Sequence, residues 1–209
     1  MEEESTKSNS KQTLILSIVG IVILFVAVIG ISFAAFSYSQ TGSKENTLTT
    51  GVIKMSYNNP TNGINITNAL PTTDTTGKAL TGTNNVFDFT VTATITGTAT
   101  INWGITATTT PGTSLTDSYV KVYLTDRGSS GSSDTQILAP TLVSSLTKTA
   151  SGNAYGAPTG QFILDTGTYT ATTTDNYRLR MWVADTYTGT SSSNTYKLKV
   201  NVYGKANAR

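Results

Sequence analysis

The sequence predicts an all-β protein, an antiparallel β-sandwich of the jelly-roll kind, preceded by one hydrophobic N-terminal helix. Two observations predict the sandwich: apolar and polar residues alternate strictly in several runs after residue 48, and segments rich in Gly, Ser, Thr and Asn separate these runs. A third observation predicts the helix, because residues 13–36 form a single uncharged apolar run. The chain has 209 residues, which is enough for one domain of ordinary size beyond that run.

The hydrophobic run carries no charge over 24 residues, and a helix of that length crosses a hydrocarbon core of about 30 Å. Lys7 and Lys11 precede it, so residues 1–12 are predicted to stay in the cytoplasm and the C-terminal part to be exported. Residues 37–47 are polar and form a predicted linker, and residues 48–209 form the predicted extracellular β-sandwich.

The end of the hydrophobic run has two interpretations. Ala34, Ala35 and Phe36 form a candidate signal-cleavage site, because a signal peptidase needs small residues such as these two alanines before the cut. The run is nevertheless longer than the apolar part of an ordinary signal peptide, about 7–15 residues, which favours a retained anchor. We therefore expect either a protein of the cell membrane with an extracellular C-terminal domain or, after cleavage, a secreted protein of the extracellular matrix.

Five alternating runs predict strands, and Thr, a β-branched residue, is abundant among them. We expect seven to nine strands in two antiparallel sheets packed face to face. The residues predicted to face the core are Phe87, Phe89, Val91, Ala93 and Ile95; Ile101, Trp103 and Ile105; Val120, Val122 and Leu124; Tyr177, Leu179, Met181 and Val183; and Leu198, Val200 and Val202.

The segments between the runs are also interpretable. "DRGSSGSSDTQ" and "YTGTSSSNT" are predicted hairpin loops, and "APTLVSSLTKTA" forms at most a short helical turn. Asn201 alternates with the core residues of the last run and is predicted to face outward. Parity places Trp182 on an outer face beside Arg178 and Arg180, either exposed there or packed across strands.

Composition argues against enzymes and against nucleic-acid binding. The chain has no Cys and no His, so it lacks a thiolate nucleophile, an imidazole base and His- or Cys-ligated metals; we predict no catalytic residue, no metal and no cofactor. The net charge is +2 with scattered basic residues, so no nucleic-acid partner is predicted. The carboxylates of the predicted sandwich lie mostly at predicted strand ends and turns, without the pairing of a glycosidase or the density of a calcium loop. They are Asp74, Asp88, Asp117, Asp126, Asp134, Asp165, Asp175 and Asp185.

Aromatic residues leave a sugar-binding role open. Any exposed aromatic side chain of the predicted sandwich could stack on the sugars of a wall polymer. The candidates are Trp103, Trp182, Tyr119, Tyr123, Tyr177, Tyr187, Tyr196 and Tyr203. Packing across neighbouring strands is the alternative explanation for them.

The junction between helix and sandwich resembles a known family. Ala34, Ala35 and Phe36, a polar stretch, and then "NTLTTGVIKMSY" resemble the N-terminus of the TasA/camelysin family of exported biofilm-matrix fibre proteins. In that pattern Leu48, Gly51, Val52 and Ile53 match the first strand, and "VFDFTVT" matches the next core strand. The similarity covers residues 30–95 of the chain.

The resemblance implies a secreted jelly-roll subunit that assembles into fibres by donor-strand complementation. The donor would be residues 36–46, with Phe36 and Tyr38 as the candidate residues that fill pockets of the next subunit. A flexible stalk is the alternative role for this segment. The metalloprotease activity described for camelysins is not implied, because its zinc site requires histidine and the chain has none.

We therefore predict a non-enzymatic extracellular structural protein, a cell-surface or biofilm-matrix subunit that polymerises by strand addition. The expected partners are the membrane, through residues 13–36 before or without cleavage, other copies of the chain, and a cell-wall polymer. The alternative function is a membrane-anchored binding module for cell-wall glycan or a partner protein. A pilin whose uncut helix forms a filament core is a third hypothesis.

Overall fold

The computed structural model describes residues 18–19, 37–40, 51–57, 63–67, 70–96, 99–189 and 194–207. The chain divides into two compact units, Met1–Phe36 and Ser37–Arg209. Of the predicted hydrophobic helix only Ile18 and Val19 are described, and both are helical and exposed. No helix within the described ranges is long and apolar enough to span a membrane.

Strands are the main regular secondary structure among the described residues of the second unit. Eleven strands are described, more than the predicted seven to nine. The strands are β1 Ser37–Gln40, β2 Gly51–Tyr57, β3 Gly63–Thr67, β4 Pro71–Thr72, β5 Val86–Ile95, β6 Thr100–Thr109, β7 Val120–Asp126, β8 Thr135–Leu142, β9 Phe162–Tyr169, β10 Thr173–Ala184 and β11 Thr195–Asn207. The described helices are α1 Asp74–Lys78 and two 3-10 turns, Asp117–Tyr119 and Val143–Ser145.

The strands form two sheets, which confirms the all-β, sandwich-like prediction. In sheet A the order is β9–β6–β11, and β1 and β3 both pair with the remaining edge of β11. In sheet B the order is β2–β5–β10–β7–β8, with β4 as a short strand beside β10. Every pairing is antiparallel except that of β4 with β10.

One hydrophobic core contains side chains from both sheets. The residues predicted to face it are buried, apart from Ile95, which is partly buried and packs against it. Aromatic rings stack within it: the Trp103 ring of sheet A lies on Tyr169, with ring centroids 5.1 Å apart, and the Phe89 ring of sheet B lies on Tyr177 at 5.3 Å. The alternation therefore identified the inner faces correctly.

One of the two predicted hairpin loops is wrong. The segment after Asp126 does join the paired strands β7 and β8 and is a hairpin loop, as predicted. "YTGTSSSNT" instead connects β10 of sheet B to β11 of sheet A. Local turn composition indicates a reversal of the chain, but it does not say whether the chain returns to the same sheet.

Two expectations about outer faces also need correction. Trp182 lies on the outer face of β10 but is only 1% exposed, because α1 packs over it. A Cβ added to Gly77 of α1 would lie 2.3 Å from the Trp182 ring, so the helix and the indole are in close contact. Asn201 was predicted to face outward but is buried, and its cross-strand partner Thr106 is buried as well.

Candidate assembly interface

The longest strand, β11, has an edge divided between two short strands. Its other edge pairs with β6 along residues 198–207. On the divided edge, β3 covers Thr195–Lys199 and β1 covers residues 202–205. In this second pairing Ser37 lies opposite Lys205 and Gln40 lies opposite Val202. We call residues 202–205 of β11, together with the position that β1 occupies beside them, the β1 slot.

The β1 slot is lined by residues that are buried on both faces of β11. Val202 is 2% exposed and belongs to the core between the sheets, whereas Tyr203 is 1% exposed on the opposite face. A strand buried on both faces must have its main-chain N–H and C=O groups paired, because water cannot reach them. A strand in the slot is therefore part of what stabilises sheet A.

A polar network fixes the outer face of the slot. The Gln161 amide donates to the Tyr203 hydroxyl at 2.8 Å, and the Thr106 hydroxyl donates to the Gln161 side-chain oxygen at 2.5 Å. Tyr155 packs over the same face, where Gly104 leaves room that a Cβ would fill, 2.5 Å from the tyrosine ring. Since the buried side chains of Gln161 and Thr106 are satisfied, the network holds β11 and β6 in one register.

The strand that fills the slot is the first part of the second unit. β1 begins at Ser37, directly after the boundary between the two units. It includes the candidate donor residue Tyr38, which pairs with Gly204. Phe36 and the candidate cleavage residues Ala34 and Ala35 lie outside the described residues. Of the predicted linker at 37–47, residues 37–40 are strand and the rest lies outside the described ranges.

Two other sheet edges are less suited to receive a strand. β8 contains Pro140, which has no N–H to donate, and its register against β7 shifts twice. The start of β9 is covered, because Lys148 forms an isolated bridge with Phe162 and the Ile163 amide donates to the Thr147 carbonyl at 2.8 Å. Such features are devices by which natural sheets limit edge pairing.

The carboxylates considered as catalytic candidates have structural contacts. Arg178 donates two 2.6 Å hydrogen bonds to Asp88, and Arg180 donates a 2.7 Å bond to Asp134. Asp175 accepts a 2.7 Å bond from Tyr169. Within the described part of the chain, no group of three or more acidic side chains is placed to hold a metal ion.

Sequence reasoning missed the residues that support the slot. Gln161 and Thr106 are 55 positions apart in the chain, and Gln161 and Tyr203 are 42 apart, so no local pattern links them. Gly104 offered one usable signal, since a glycine inside a strand often marks close approach by another group.

Comparison with known proteins does not identify the chain: no protein-family model, no curated protein and no solved structure matches it.

Proposed function

We propose that the chain is an exported, non-enzymatic structural subunit that polymerises when β1 of one copy occupies the β1 slot of another. The observation that carries this proposal is the position of β1. It is a four-residue strand at the very start of the exported body, and it completes the edge of a strand that is buried on both faces. The hydrophobic run would export the body, which is either held in the membrane or, after cleavage, released into the matrix.

Strand exchange at this position costs little free energy. The main-chain hydrogen bonds of β1 to β11 are the same whether the two strands belong to one chain or to two. A strand of four residues contributes few such bonds, so it can leave its own slot more easily than the long strands can. Cleavage after Ala35 would leave β1 one residue from a free N-terminus, where no other segment restrains it.

The strand order supports a jelly-roll body. From β3 to β11, leaving out the short β4, the chain contributes eight strands: the first pairs with the last, the second with the seventh, the third with the sixth and the fourth with the fifth. Nested pairing divided over two sheets is what a jelly roll requires, and this supports the proposed jelly-roll body. It agrees with the fold implied by the resemblance to the TasA/camelysin family.

Deletion of residues 36–47 tests the proposal. We expect the deleted protein to keep its β-sheet circular dichroism spectrum, because the long strands remain, but to form no filaments in electron micrographs. An added peptide with the sequence of residues 36–47 should raise the melting temperature of the deleted protein by filling the slot, and a scrambled peptide should not. Filaments that grow without this segment would contradict strand exchange.

A further inference from the structure

Exposed apolar side chains of the sandwich are concentrated at one end. In the described part of the second unit, the large hydrophobic residues that are exposed are Leu70, at 68%, and Tyr119, at 40%. Pro71, next to Leu70, and Val120, next to Tyr119, both pair with Val183 from opposite sides of β10. The two side chains therefore start about two strand spacings apart, on the order of 10 Å.

Tyr119 is supported by a second aromatic ring. Its ring meets that of Tyr187 edge to face, with centroids 5.0 Å apart and an interplanar angle of 62°. Tyr187 is itself fixed: its hydroxyl accepts a 2.8 Å hydrogen bond from Asn194, and a Cβ on Gly189 would lie 2.2 Å from that hydroxyl. We call Tyr119 and Tyr187 the distal tyrosine pair. A pair held in this way is preorganised, so it loses little side-chain entropy when a ligand binds.

Polar residues directly precede Tyr119 in the chain. Asp117 begins the 3-10 turn that ends at Tyr119, and one of its carboxylate oxygens accepts a 2.7 Å hydrogen bond from the Tyr196 hydroxyl. The other oxygen has no hydrogen-bond partner among the described residues. Thr116 and Ser118, both exposed, bond to each other through their hydroxyls at 2.8 Å. An exposed ring beside a fixed carboxylate and hydroxyls can bind a ligand that has an apolar face and several hydroxyl groups.

The distal tyrosine pair lies at the end of the sandwich where β11 begins. The carbonyl of Thr195, at the start of β11, accepts hydrogen bonds from Ser114 and Leu115, so the loop leading to Tyr119 lies at that end. The chain enters the body at Ser37, which pairs with Lys205, ten residues further along β11. Ten residues of strand span about 34 Å. The pair is thus at the far end from the β1 slot.

The small area of the distal tyrosine pair and the charge of the turn before Tyr119 indicate which class of ligand fits. The distal tyrosine pair offers far less area than the roughly 800 Å² per partner that a stable protein interface buries. The turn from Thr116 to Tyr119 carries one acidic residue and no basic one, which disfavours anionic polymers. A neutral sugar ring fits the small area, because one ring covers one aromatic side chain. It also fits the acidic turn, because its hydroxyls can donate to Asp117.

We propose that the distal tyrosine pair and Asp117 form a binding site for a neutral glycan built of hexose or N-acetylhexosamine units. Tyr119 stacks on the sugar ring, Tyr187 holds Tyr119 in place, and Asp117 accepts hydrogen bonds from sugar hydroxyls. This site goes beyond the structural role proposed above and does not require polymerisation.

Binding measurements on the full-length chain in detergent test the site. The probes are a tetramer of β-1,4-linked N-acetylglucosamine, a tetramer of β-1,4-linked glucose and an anionic poly(glycerol phosphate). We expect at least one neutral probe to bind, and Tyr119→Ala to weaken that binding about ten-fold or more, as for a central aromatic contact. Tyr119→Phe, which keeps the ring, should bind like the parent, and so should Leu70→Ala, which removes the other exposed side chain.

Three results would overturn the proposal: no binding of either neutral tetramer, binding of the anionic polymer alone, or equal binding by the parent and Tyr119→Ala. Because Tyr119 is well exposed, Tyr119→Ala should keep the parent's melting temperature, which shows that any loss of binding is local.

Discussion

Asp165 is a partly buried carboxylate with no Lys or Arg partner among the described residues. Its pKa is raised, first by burial, which disfavours the charged form, and further by the negative charges of Asp126 and Asp175. The main-chain N–H of Thr166, 2.8 Å from a carboxylate oxygen, opposes the shift in part. Among the described residues no Lys or Arg forms an ion pair with Asp165. This residue therefore destabilises the folded protein at neutral pH.

The raised pKa predicts a pH-dependent gain in stability from Asp165→Asn. The folded state binds the proton more tightly than the unfolded state, so the penalty is absent below the unfolded pKa of about 3.9, grows as the pH rises towards the folded pKa, and is complete above it. Thermal unfolding should show a higher melting temperature for Asp165→Asn at neutral pH and no difference from the parent in strong acid. A lower melting temperature for the variant at neutral pH would be the opposite of this prediction.

The alternation of apolar and polar residues predicted correctly which side chains face the core between the sheets. It did not predict which side chains of the outer faces are exposed. The inner residues of β5 and β10 are buried as the alternation predicts. Trp182 is buried because α1 covers it, and α1 is five residues long, too short to leave an apolar repeat in the sequence. Whether an outer face is covered depends on segments distant in the chain, so parity alone could not decide it.

The loop between β7 and β8 is held to β10 by a buried arginine. Arg180 on β10 is 3% exposed, and it donates to Asp134 at 2.7 Å, just before β8, and to the Leu80 carbonyl at 2.9 Å. The pKa of Asp134 is lowered, chiefly by the hydrogen bond from Arg180. Its contribution to stability is thus present at neutral pH and is lost as the pH falls through the lowered pKa.

Removing Asp134 should destabilise the fold through Arg180. We expect Asp134→Ala to reduce the free energy of unfolding by about 1–3 kcal/mol, because a buried guanidinium loses its charged partner. In an Arg180→Met background the same substitution should cost much less, and a double-mutant cycle by urea denaturation measures the difference. Equal costs in both backgrounds would show that the two residues do not interact.

The pair formed by Lys121 and Asp74 is the matched control. Its atoms are also 2.7 Å apart, but its lysine is more exposed than Arg180, 18% against 4% for the side chains. Lys121→Met should therefore change the free energy of unfolding by at most about 1 kcal/mol.

Strands were predictable from the sequence where apolar and polar residues alternate. β5, β6, β7, β10 and β11 were located from their alternation, whereas β8 and β9, with eight residues each, were not. β4 has two residues and pairs in parallel with β10, which no local pattern indicates. For the β1 slot, the resemblance singled out Tyr38 and its neighbours, but their partner strand lies more than 160 residues away in the chain.

At the scale of the whole molecule, the two proposed surfaces lie at separate places. The β1 slot is near the end of β11, where the second unit begins, and the distal tyrosine pair is near the start of that strand. A copy that receives a neighbour's β1 therefore still presents its own tyrosine pair. The proposed assembly and the proposed glycan binding use different surfaces, so each can be tested in variants that leave the other surface intact.

Disulfide trapping between copies tests the central claim, strand exchange at the β1 slot, most directly. The natural chain has no cysteine, so Ser37→Cys and Lys205→Cys chains each carry one thiol, and these two positions are register partners. Filaments grown from a mixture of the two variants should yield disulfide-linked dimers, because opposed strand residues are close enough for a disulfide. Gln40→Cys mixed with Lys205→Cys, three positions out of register, should yield few. If instead the mixed filaments stay monomeric after oxidation, while a chain with both Ser37→Cys and Lys205→Cys closes on itself in filaments, then β1 remains in its own slot and the account is wrong.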